Sequence, residues 1–513
     1  MARLVVLTSR CTLWEVNMVR IVNNFIGGSW VAARCGKSFE KTNPADRRDV
    51  VASVALSDKD DVDHAVEAAR SAFPEWKAMP PPKRGEMLFR VGAILLRKKD
   101  ELGHLVTREM GKVLSEGLGD VQEAIDMAYY MAGEGRRLQG ETVPSELPDK
   151  DCKSIREPHG VAALITPWNF PVAIPAWKLC PALICGNTVV LKPSSATPAC
   201  AAALVQAFEE AGIPDGVLNL VFGPGEETGE YLVTHPGVDA VSFTGSCSAG
   251  ERLESLLGKL HRPLALEMGG KNAIIVMDDA DLQLALEGVL WGAFGTSGQR
   301  CTASSRVFVH DSLYGQFLEL LKIAAAGLKI GPGLHPAIDV GPLINESQLQ
   351  KVLRYISIGR EEGARLVAGG NRILTGDCSH GYFVEPTIFA DVLPRMKIAQ
   401  EEIFGPVVSV LRFSTLEEAI AMVNDVPFGL SSAIYTSSVN NSARAERDLR
   451  AGLVYINAST IGAEIQLPFG GWKHSGSVHP EAGGRGGALD FYSRMKVIYR
   501  DFSGRLQKAQ IDR

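Results

Sequence analysis

The stretch that decides the fold begins GNTVVLKPSSATPACAAALVQAFEEAGIPDGVLNLVF (186–222). It runs on as GPGEETGEYLVTHPGVDAVSFTGSCSAGERLESLLGKLHRPLALEMGGKNAIIVM (223–277). Thr188–Lys192 reads as a short β-branched strand, and Ala196–Ala211 as an Ala-rich helix opened by Thr197-Pro198, an N-cap and N1 pair. Val217–Phe222 is a second strand, Gly225–Val233 a short helix and Val238–Phe243 a third strand; Gly245–Gly250 opens another helix, and Leu264–Glu267 and Ala273–Met277 are further strands. Strands alternating with helices at this spacing imply parallel βαβ units. Ligands bind outside the carboxyl ends of such strands. The loops to inspect therefore follow Lys192, Phe222, Phe243 and Glu267.

Outward from this core the same α/β alternation covers most of the chain. Ser57-Asp58 precedes a helix with Val62, Ala65, Val66, Ala69 and Phe73 on one face, and a second helical pattern covers roughly Lys83–Val106, separated from the first by Pro80-Pro81-Pro82. The 513 residues suggest about three domains at ~150 residues each. A hydrophobic share of 46%, a charged share of 22% and a mean hydropathy of +0.04 are those of a globular chain. A net charge of −6 leaves no basic footprint for nucleic acid or an anionic membrane. No apolar run approaches the ~18 residues of a membrane span. The nine cysteines are odd in number and form no C-x-x-C pair, so neither a disulfide framework nor a metal site is expected, and a reducing cytoplasm fits. In residues 1–17 the apolar run Leu4–Leu7 is too short for a secretory signal, Glu15 argues against a transit peptide, and Met18 is an alternative start.

Several short motifs could carry chemistry. Gly223-Pro-Gly225-x-x-x-Gly229 approximates a dinucleotide fingerprint with the wrong spacing, and is otherwise a strand-to-helix turn. In Phe243-Thr244-Gly245-Ser246-x-x-x-Gly250, Gly245 permits close backbone approach and Ser246 offers a hydroxyl and an N–H at a helix start; a phosphate site and a simple turn both fit. Lys192, ahead of Pro193-Ser194-Ser195, could reach a ribose or phosphate, or be a solvated surface lysine. Cys301 lies among small residues in Gly298-Gln299-Arg300-Cys301-Thr302, and Arg300 would favour its thiolate; the alternative is a small buried hydrophobe. Glu267 ends an apolar strand, where burial would raise its pKa toward that of a general base. Asn169, in Thr166-Pro167-Trp168-Asn169-Phe170-Pro171, could donate to an oxyanion, or be a plain turn asparagine.

Taken together, Thr166–Pro171, Lys192-Pro193-Ser194, Phe243–Ser246, Leu266–Lys271, Gly298–Cys301, Glu402-Ile403-Phe404-Gly405-Pro406 and Pro468-Phe469-Gly470-Gly471 resemble the successive motifs of the aldehyde dehydrogenase superfamily, in order and from about residue 20 onward. The resemblance implies an α/β fold with a Rossmann-type cofactor domain (1–138 and 158–267), an α/β catalytic domain (268–481) and a small β oligomerisation arm (139–157 and 482–513). It implies NAD(P)-dependent oxidation of an aldehyde to an acid. Cys301 would be the nucleophile, Asn169 and the Cys301 N–H the oxyanion donors, Glu267 the base that hydrolyses the thioester, and Lys271 a supporting group. The cofactor would meet Thr166, Pro167, Trp168, Lys192, Ser194, Ser195, Gly225, Gly229, Phe243, Thr244, Gly245, Ser246, Gly250, Glu402 and Phe404. A homodimer or homotetramer is implied.

Ser195 stands where many NAD-preferring relatives carry Glu, so a 2′-phosphate would be tolerated and NADP accepted. Trp177 before Lys178 replaces the arginine usual in succinate-semialdehyde relatives. The runs Asn169–Lys178, Gly462-Ala463-Glu464-Ile465 and Asp501–Asp512 are similar to a branch that includes 2-oxoglutarate semialdehyde (2,5-dioxopentanoate) dehydrogenases. A broad aliphatic or aromatic aldehyde dehydrogenase is the alternative. A CoA-acylating enzyme would not need Glu267, and a non-enzymatic relative could lose Cys301. After Lys473-His-Ser-Gly476 the chain departs from the family with Ser477-Val478-His479-Pro480-Glu481.

Overall fold

The computed structural model describes residues 19–511. The readings made on residues 1–17 and on Met18 lie outside the described residues. Two seven-stranded sheets form the body. In the first, five parallel strands lie in the order Leu264–Glu267, Ala240–Thr244, Val161–Ile165, Thr188–Lys192 and Leu218–Leu220, extended by the antiparallel strands Asn24–Ile26 and Ser29–Val31. The chain enters this parallel set in the middle, at Val161–Ile165, and moves outward through Thr188–Lys192 to Leu218–Leu220. It then crosses back to lay down Ala240–Thr244 and Leu264–Glu267 on the other side. The direction of travel reverses between Val161–Ile165 and Ala240–Thr244, and such a reversal opens a crevice beyond the carboxyl ends. Every residue of Val161–Ile165, Thr188–Lys192 and Ala240–Thr244 is buried, as expected of parallel strands covered on both faces.

In the second sheet Asn272–Val276 is flanked by Ser304–His310, the middle strand, and Ser431–Tyr435. Val407–Phe413 and Thr387–Ala390 continue one side in parallel, Leu453–Ile456 closes the other, and Arg365–Ala368 is an antiparallel edge. In a separate antiparallel sheet Lys150–Pro158 is the central strand, paired with Ser493–Asp501 on one side and Thr142–Pro144 on the other.

Local chemistry explains most of the elements and corrects some expectations. Asp58 caps the helix Lys59–Ala78 in a reciprocal box with Asp61. The pattern over 83–106 is two helices, Pro81–Arg97 and Lys99–Met110, because the chain leaves helical geometry at Lys98; the apolar phase runs through from Leu95 to Leu102 and Val106 and hides the break. Thr197 makes no capping hydrogen bond. Its helix, Pro198–Glu210, is capped from a distance by the buried Glu109 carboxylate, which accepts from the Ala199 and Cys200 N–H groups at 2.9 and 2.8 Å. The second expected strand is regular over Leu218–Leu220, with Val217 and Val221 bonding to Val189 and Leu191 of the neighbouring strand, and 225–233 is a π-helical turn, Gly225–Gly229, running into the helix Glu230–Thr234.

Candidate active site

The crevice at the reversal point holds a cavity of about 160 Å³. Pro167, Trp168 and Asn169 reach it from the loop after Val161–Ile165, Thr244, Gly245 and Ser246 from the end of Ala240–Thr244, and Cys301, Glu402 and Phe404 from the second sheet's side. Trp168 and Phe404 meet edge to face with centroids 5.4 Å apart. A β-carbon at Gly245 would lie 2.5 Å from Phe243 Cζ, so a side chain there would displace the Phe243 ring. Ser246 caps the helix Cys247–Leu257 by accepting from the Ala249 N–H, leaving that helix start open to the cavity. Phe243 and Gly250 sit behind the lining: Phe243 is core, and Gly250 packs against the Met268 sulfur.

Cys301 is presented by a strained loop. Thr296, Ser297 and Gly298 all have positive φ, at 52°, 57° and 68°. Strain of this kind persists only where the surroundings over-determine it. Glu116 accepts from the Thr296 N–H at 2.9 Å and from its hydroxyl at 3.0 Å. Ser297 Oγ donates to the Gly341 carbonyl at 2.6 Å. The Gln299 amide donates to the Thr296 and Pro342 carbonyls and accepts from the Ile344 N–H. Gly298 leaves no room for a side chain, since its β-carbon would lie 2.2 Å from the Gly405 carbonyl oxygen. Asn169 donates one amide hydrogen to the Gln299 carbonyl at 3.1 Å, which aims the other hydrogen elsewhere.

The expected help from Arg300 is overturned. Its guanidinium turns away from Cys301, donating to Thr296 Oγ1 at 2.9 Å and Glu116 at 3.0 Å. Burial and the carboxylates of Glu402, Glu481 and Glu267 push the Cys301 thiol up to about 12. The Thr302 N–H opposes this weakly.

Glu267 and Lys271 are next to the cavity but not in its lining. Glu267 Oε2 accepts from the Gly471 N–H at 3.1 Å, and Oε1 is buried without a partner. Burial, then the neighbouring Glu481, raises the Glu267 carboxyl well above the usual range. Glu481 itself is gripped by the buried Lys178 and Thr244, and Lys178 also donates to Ser242 Oγ at 2.7 Å. Lys271 Nζ is buried without a hydrogen-bond partner, and burial with nearby Arg306 lowers it to about 7. Glu402 accepts from the Gly270 N–H at 3.0 Å; burial raises its pKa against the pull of Lys351.

A second group lies one strand over. Lys192 is not the solvated lysine of the bland reading: it is 4% exposed and burial lowers it to about 8. Gly229 lies against its stem, a β-carbon there being 3.5 Å from Lys192 Cδ, so the Gly225–Gly229 turn and Lys192 adjoin. Ser195 Oγ donates to the Gly223 carbonyl at 3.0 Å, and Ser194 Oγ accepts from Ala196 N–H. Thr166 joins the two groups: its N–H donates to the Lys192 carbonyl at 3.3 Å, and its hydroxyl is buried and unpartnered.

This donor set suits a nicotinamide dinucleotide. A buried cation on a strand end, an open helix start and a crevice walled by Trp168 and Phe404 match a pyrophosphate with an aromatic base. Sequence reasoning missed Gln348 and Lys351, which line the cavity from the helix Glu346–Glu361, and also missed Ile174, Met268 and Gly269. It missed Glu116, Lys178 and Glu481 as well. Their only signal was a charged side chain within or bordering an apolar run, most visible at Lys178.

The sequence profile of the aldehyde dehydrogenase family matches residues 30–498. The chain is 43% identical over 476 residues to alpha-ketoglutaric semialdehyde dehydrogenase of Bacillus subtilis, covering 93% of this chain and 97% of that protein. It is 44% identical over 479 residues to alpha-ketoglutarate semialdehyde dehydrogenase of Haloferax volcanii, covering 93% and 99%. Among solved structures, betaine aldehyde dehydrogenase of Staphylococcus aureus in complex with NAD+ superposes with a TM-score of 0.92 at 34% identity, covering 94% of this chain and 96% of that one.

Proposed function

The chain belongs to the aldehyde dehydrogenase family, and on that premise we propose that its substrate is 2-oxoglutarate semialdehyde, oxidised to 2-oxoglutarate. The chain is an NAD(P)-dependent aldehyde dehydrogenase. The observation that carries the substrate is the near full-length likeness, at 43% and 44% identity, to two proteins named for it. Trp177 and Phe469, edge to face with centroids 5.4 Å apart in the core that Cys301 packs against, favour a second reading, a broad aliphatic or aromatic aldehyde.

In the proposed reaction the Cys301 thiol gives its proton to solvent, and Sγ attacks the aldehyde carbon as the carbonyl π pair moves onto its oxygen. The second Asn169 amide hydrogen and the Cys301 N–H hold the oxyanion, a contribution of about 3 kcal/mol by comparison with other oxyanion holes. A nicotinamide held between Trp168, Phe404 and the Gly245-Ser246 turn would supply the hydride acceptor that lets the Cys301 adduct become a thioester. Glu267 then removes a proton from the water that cleaves the thioester, Oε1 being the oxygen left without a partner while Oε2 is held by the Gly471 N–H. Lys271 supports Glu402, whose carboxylate it faces electrostatically. Thr166, Pro167, Trp168, Lys192, Ser194, Ser195, Gly225, Gly229, Phe243, Thr244, Gly245, Ser246, Gly250, Glu402 and Phe404 form or back the cofactor cleft. Ser195, small and neutral beside Lys192, admits the 2′-phosphate of NADP. Thioester hydrolysis fits better than transfer to CoA because Glu267 is retained.

We assign 1–138 with 158–267 to the cofactor domain, 268–481 to the catalytic domain, and 139–157 with 482–513 to an arm that joins a homodimer or homotetramer. All eight described cysteines are free, which suits a cytoplasmic protein. No helix among the described residues is long and apolar enough to cross a membrane.

The test is NAD(P)H formation at 340 nm with each cofactor against 2-oxoglutarate semialdehyde, succinate semialdehyde, aliphatic aldehydes and benzaldehyde. The highest kcat/KM is expected with 2-oxoglutarate semialdehyde. A better neutral aldehyde moves the broad-specificity reading to the front, and undetectable NADP reduction removes the Ser195 argument.

A further inference from the structure

Lys112 sits in the turn between the helices Lys99–Met110 and Leu114–Glu134, entered through Gly111 at a φ of 102°. A lysine is almost never fully buried unless paired. Here Nζ donates to Asp120 Oδ2 at 3.1 Å, and neither side chain is exposed. The other oxygen, Asp120 Oδ1, accepts from the Val172 and Ala173 N–H groups at 3.3 and 2.7 Å. These open the helix Ala173–Cys185, whose own N-cap residue supplies no side-chain bond. Nζ also lies 3.8 Å from the centroid of the Phe170 ring, within reach of a cation–π contact. Phe170, Val172 and Ala173 all lie within four residues after Asn169. The pair therefore holds the segment behind that amide at two points, a ring and a helix start. We propose that Lys112 and Asp120 are positioning residues for Asn169, aiming its amide at the developing oxyanion; the inference rests on the reaction proposed above.

The same turn meets the loop of the other oxyanion donor. A β-carbon at Gly111 would lie 2.7 Å from the Pro342 ring, and one at Gly341 would lie 2.1 Å from the Gly111 carbonyl oxygen, so the two backbones are in contact. Segment 341–342 accepts from Ser297 Oγ and from the Gln299 amide of the nucleophile loop. Gln299 in turn carries the carbonyl that receives the first Asn169 amide hydrogen. One turn thus braces Asn169 from behind and the Cys301 loop from the side, which fixes the separation of the two donors. An apolar pair of the same size could fill this space, but it could not cap the helix start.

The experiment is a double-mutant cycle between the pair and Asn169, with kcat and KM measured for whichever aldehyde the wild type oxidises best. Two variants take the cation off Phe170. Lys112→Gln keeps a donor for Asp120, and Lys112→Met with Asp120→Asn removes both charges while leaving an oxygen for the Ala173 N–H. Each is expected to lower kcat about ten- to a hundredfold, as for a displaced catalytic group, with KM for aldehyde and cofactor within about twofold. In an Asn169→Ala background the same substitutions are expected to cost less than about twofold more, because the group they aim is gone. Losses that multiply fully in both backgrounds, or a change confined to KM, would show that the pair serves only the scaffold and would overturn the proposal. Wild-type kcat in either variant, folded by circular dichroism, overturns it as well, and the second variant carries the test where the first does not fold. Wild-type kcat in Asn169→Ala alone would remove the oxyanion assignment and the proposal with it. An additive cycle beside a large Asn169→Ala loss removes the proposal and leaves that assignment standing.

Discussion

At the scale of single residues, the thiol of Cys301 is the most informative group. Its surroundings contain three carboxylates and no facing cation, so without ligands it is held as the thiol. Alkylation by iodoacetamide should therefore be slow at pH 7 and accelerate as pH rises, and exposed Cys35 should label first. Glu402→Gln removes the largest of the carboxylate contributions and should speed Cys301 labelling at fixed pH, read by mass spectrometry of the labelled peptide. A rate unchanged in that variant would mean that burial alone sets the thiol. Cys301→Ala, with the fold checked by circular dichroism, should lose at least ~1,000-fold in kcat. Glu267 gives a pH prediction of definite sign. A base acts deprotonated, and burial beside Glu481 moves its deprotonation upward. Turnover limited by thioester hydrolysis should thus climb with pH over a range higher than that in which an ordinary glutamate deprotonates, and Glu267→Gln should abolish the climb. The identities of these residues were legible because each sits in a short motif with glycine or proline beside it. Their electrostatics were not, because Glu402 and Glu481 reach the site from more than a hundred residues away.

At the scale of elements, the loop 295–302 is where the fold holds the chemistry in place. Gln299 is 1% exposed and makes three hydrogen bonds that hold the left-handed turn against the segment 342–344. Gln299→Ala would strand the Pro342 carbonyl and the Ile344 N–H in a buried setting, while the Thr296 carbonyl keeps the backbone N–H of residue 299. The expected cost is about 3 kcal/mol in urea unfolding, with kcat falling more than KM because the oxyanion donors lose their alignment. An unchanged midpoint would mean that the loop repacks freely. The sequence disclosed the loop through its small residues, yet not what pins it. Glu116 belongs to a helix 180 residues before Thr296, and local pattern carries no trace of that partnership. Glu109 capping the helix after Thr197 is the same kind of event: a local rule named the near residue, and a distant carboxylate made the bond. The cap at Asp58 was legible because it acts on the helix that directly follows it, and the structure adds Asp61 as its reciprocal partner.

At the scale of the molecule, the parallel order of the first sheet followed from the βαβ rhythm of 186–277, and the reversal between Val161–Ile165 and Ala240–Thr244 explains why motifs from opposite parts of the chain converge on one crevice. The arm is where the single chain leaves a surface unexplained by its own packing. In Ser493–Asp501 the alternate residues Met495, Val497 and Tyr499 share a face and are 49%, 58% and 68% exposed. The strand is also the outer one of its sheet, with one edge unpaired. An apolar face on an open edge is what a second copy would cover, in keeping with the proposed oligomer. Val497→Asp with Tyr499→Asp puts charge on that face without touching the cavity, and because both side chains are exposed the fold should be retained. Sedimentation velocity should then show the parent as a dimer or tetramer and the double variant shifted to monomer at micromolar concentration. A variant that sediments like the parent would place the interface elsewhere on the chain.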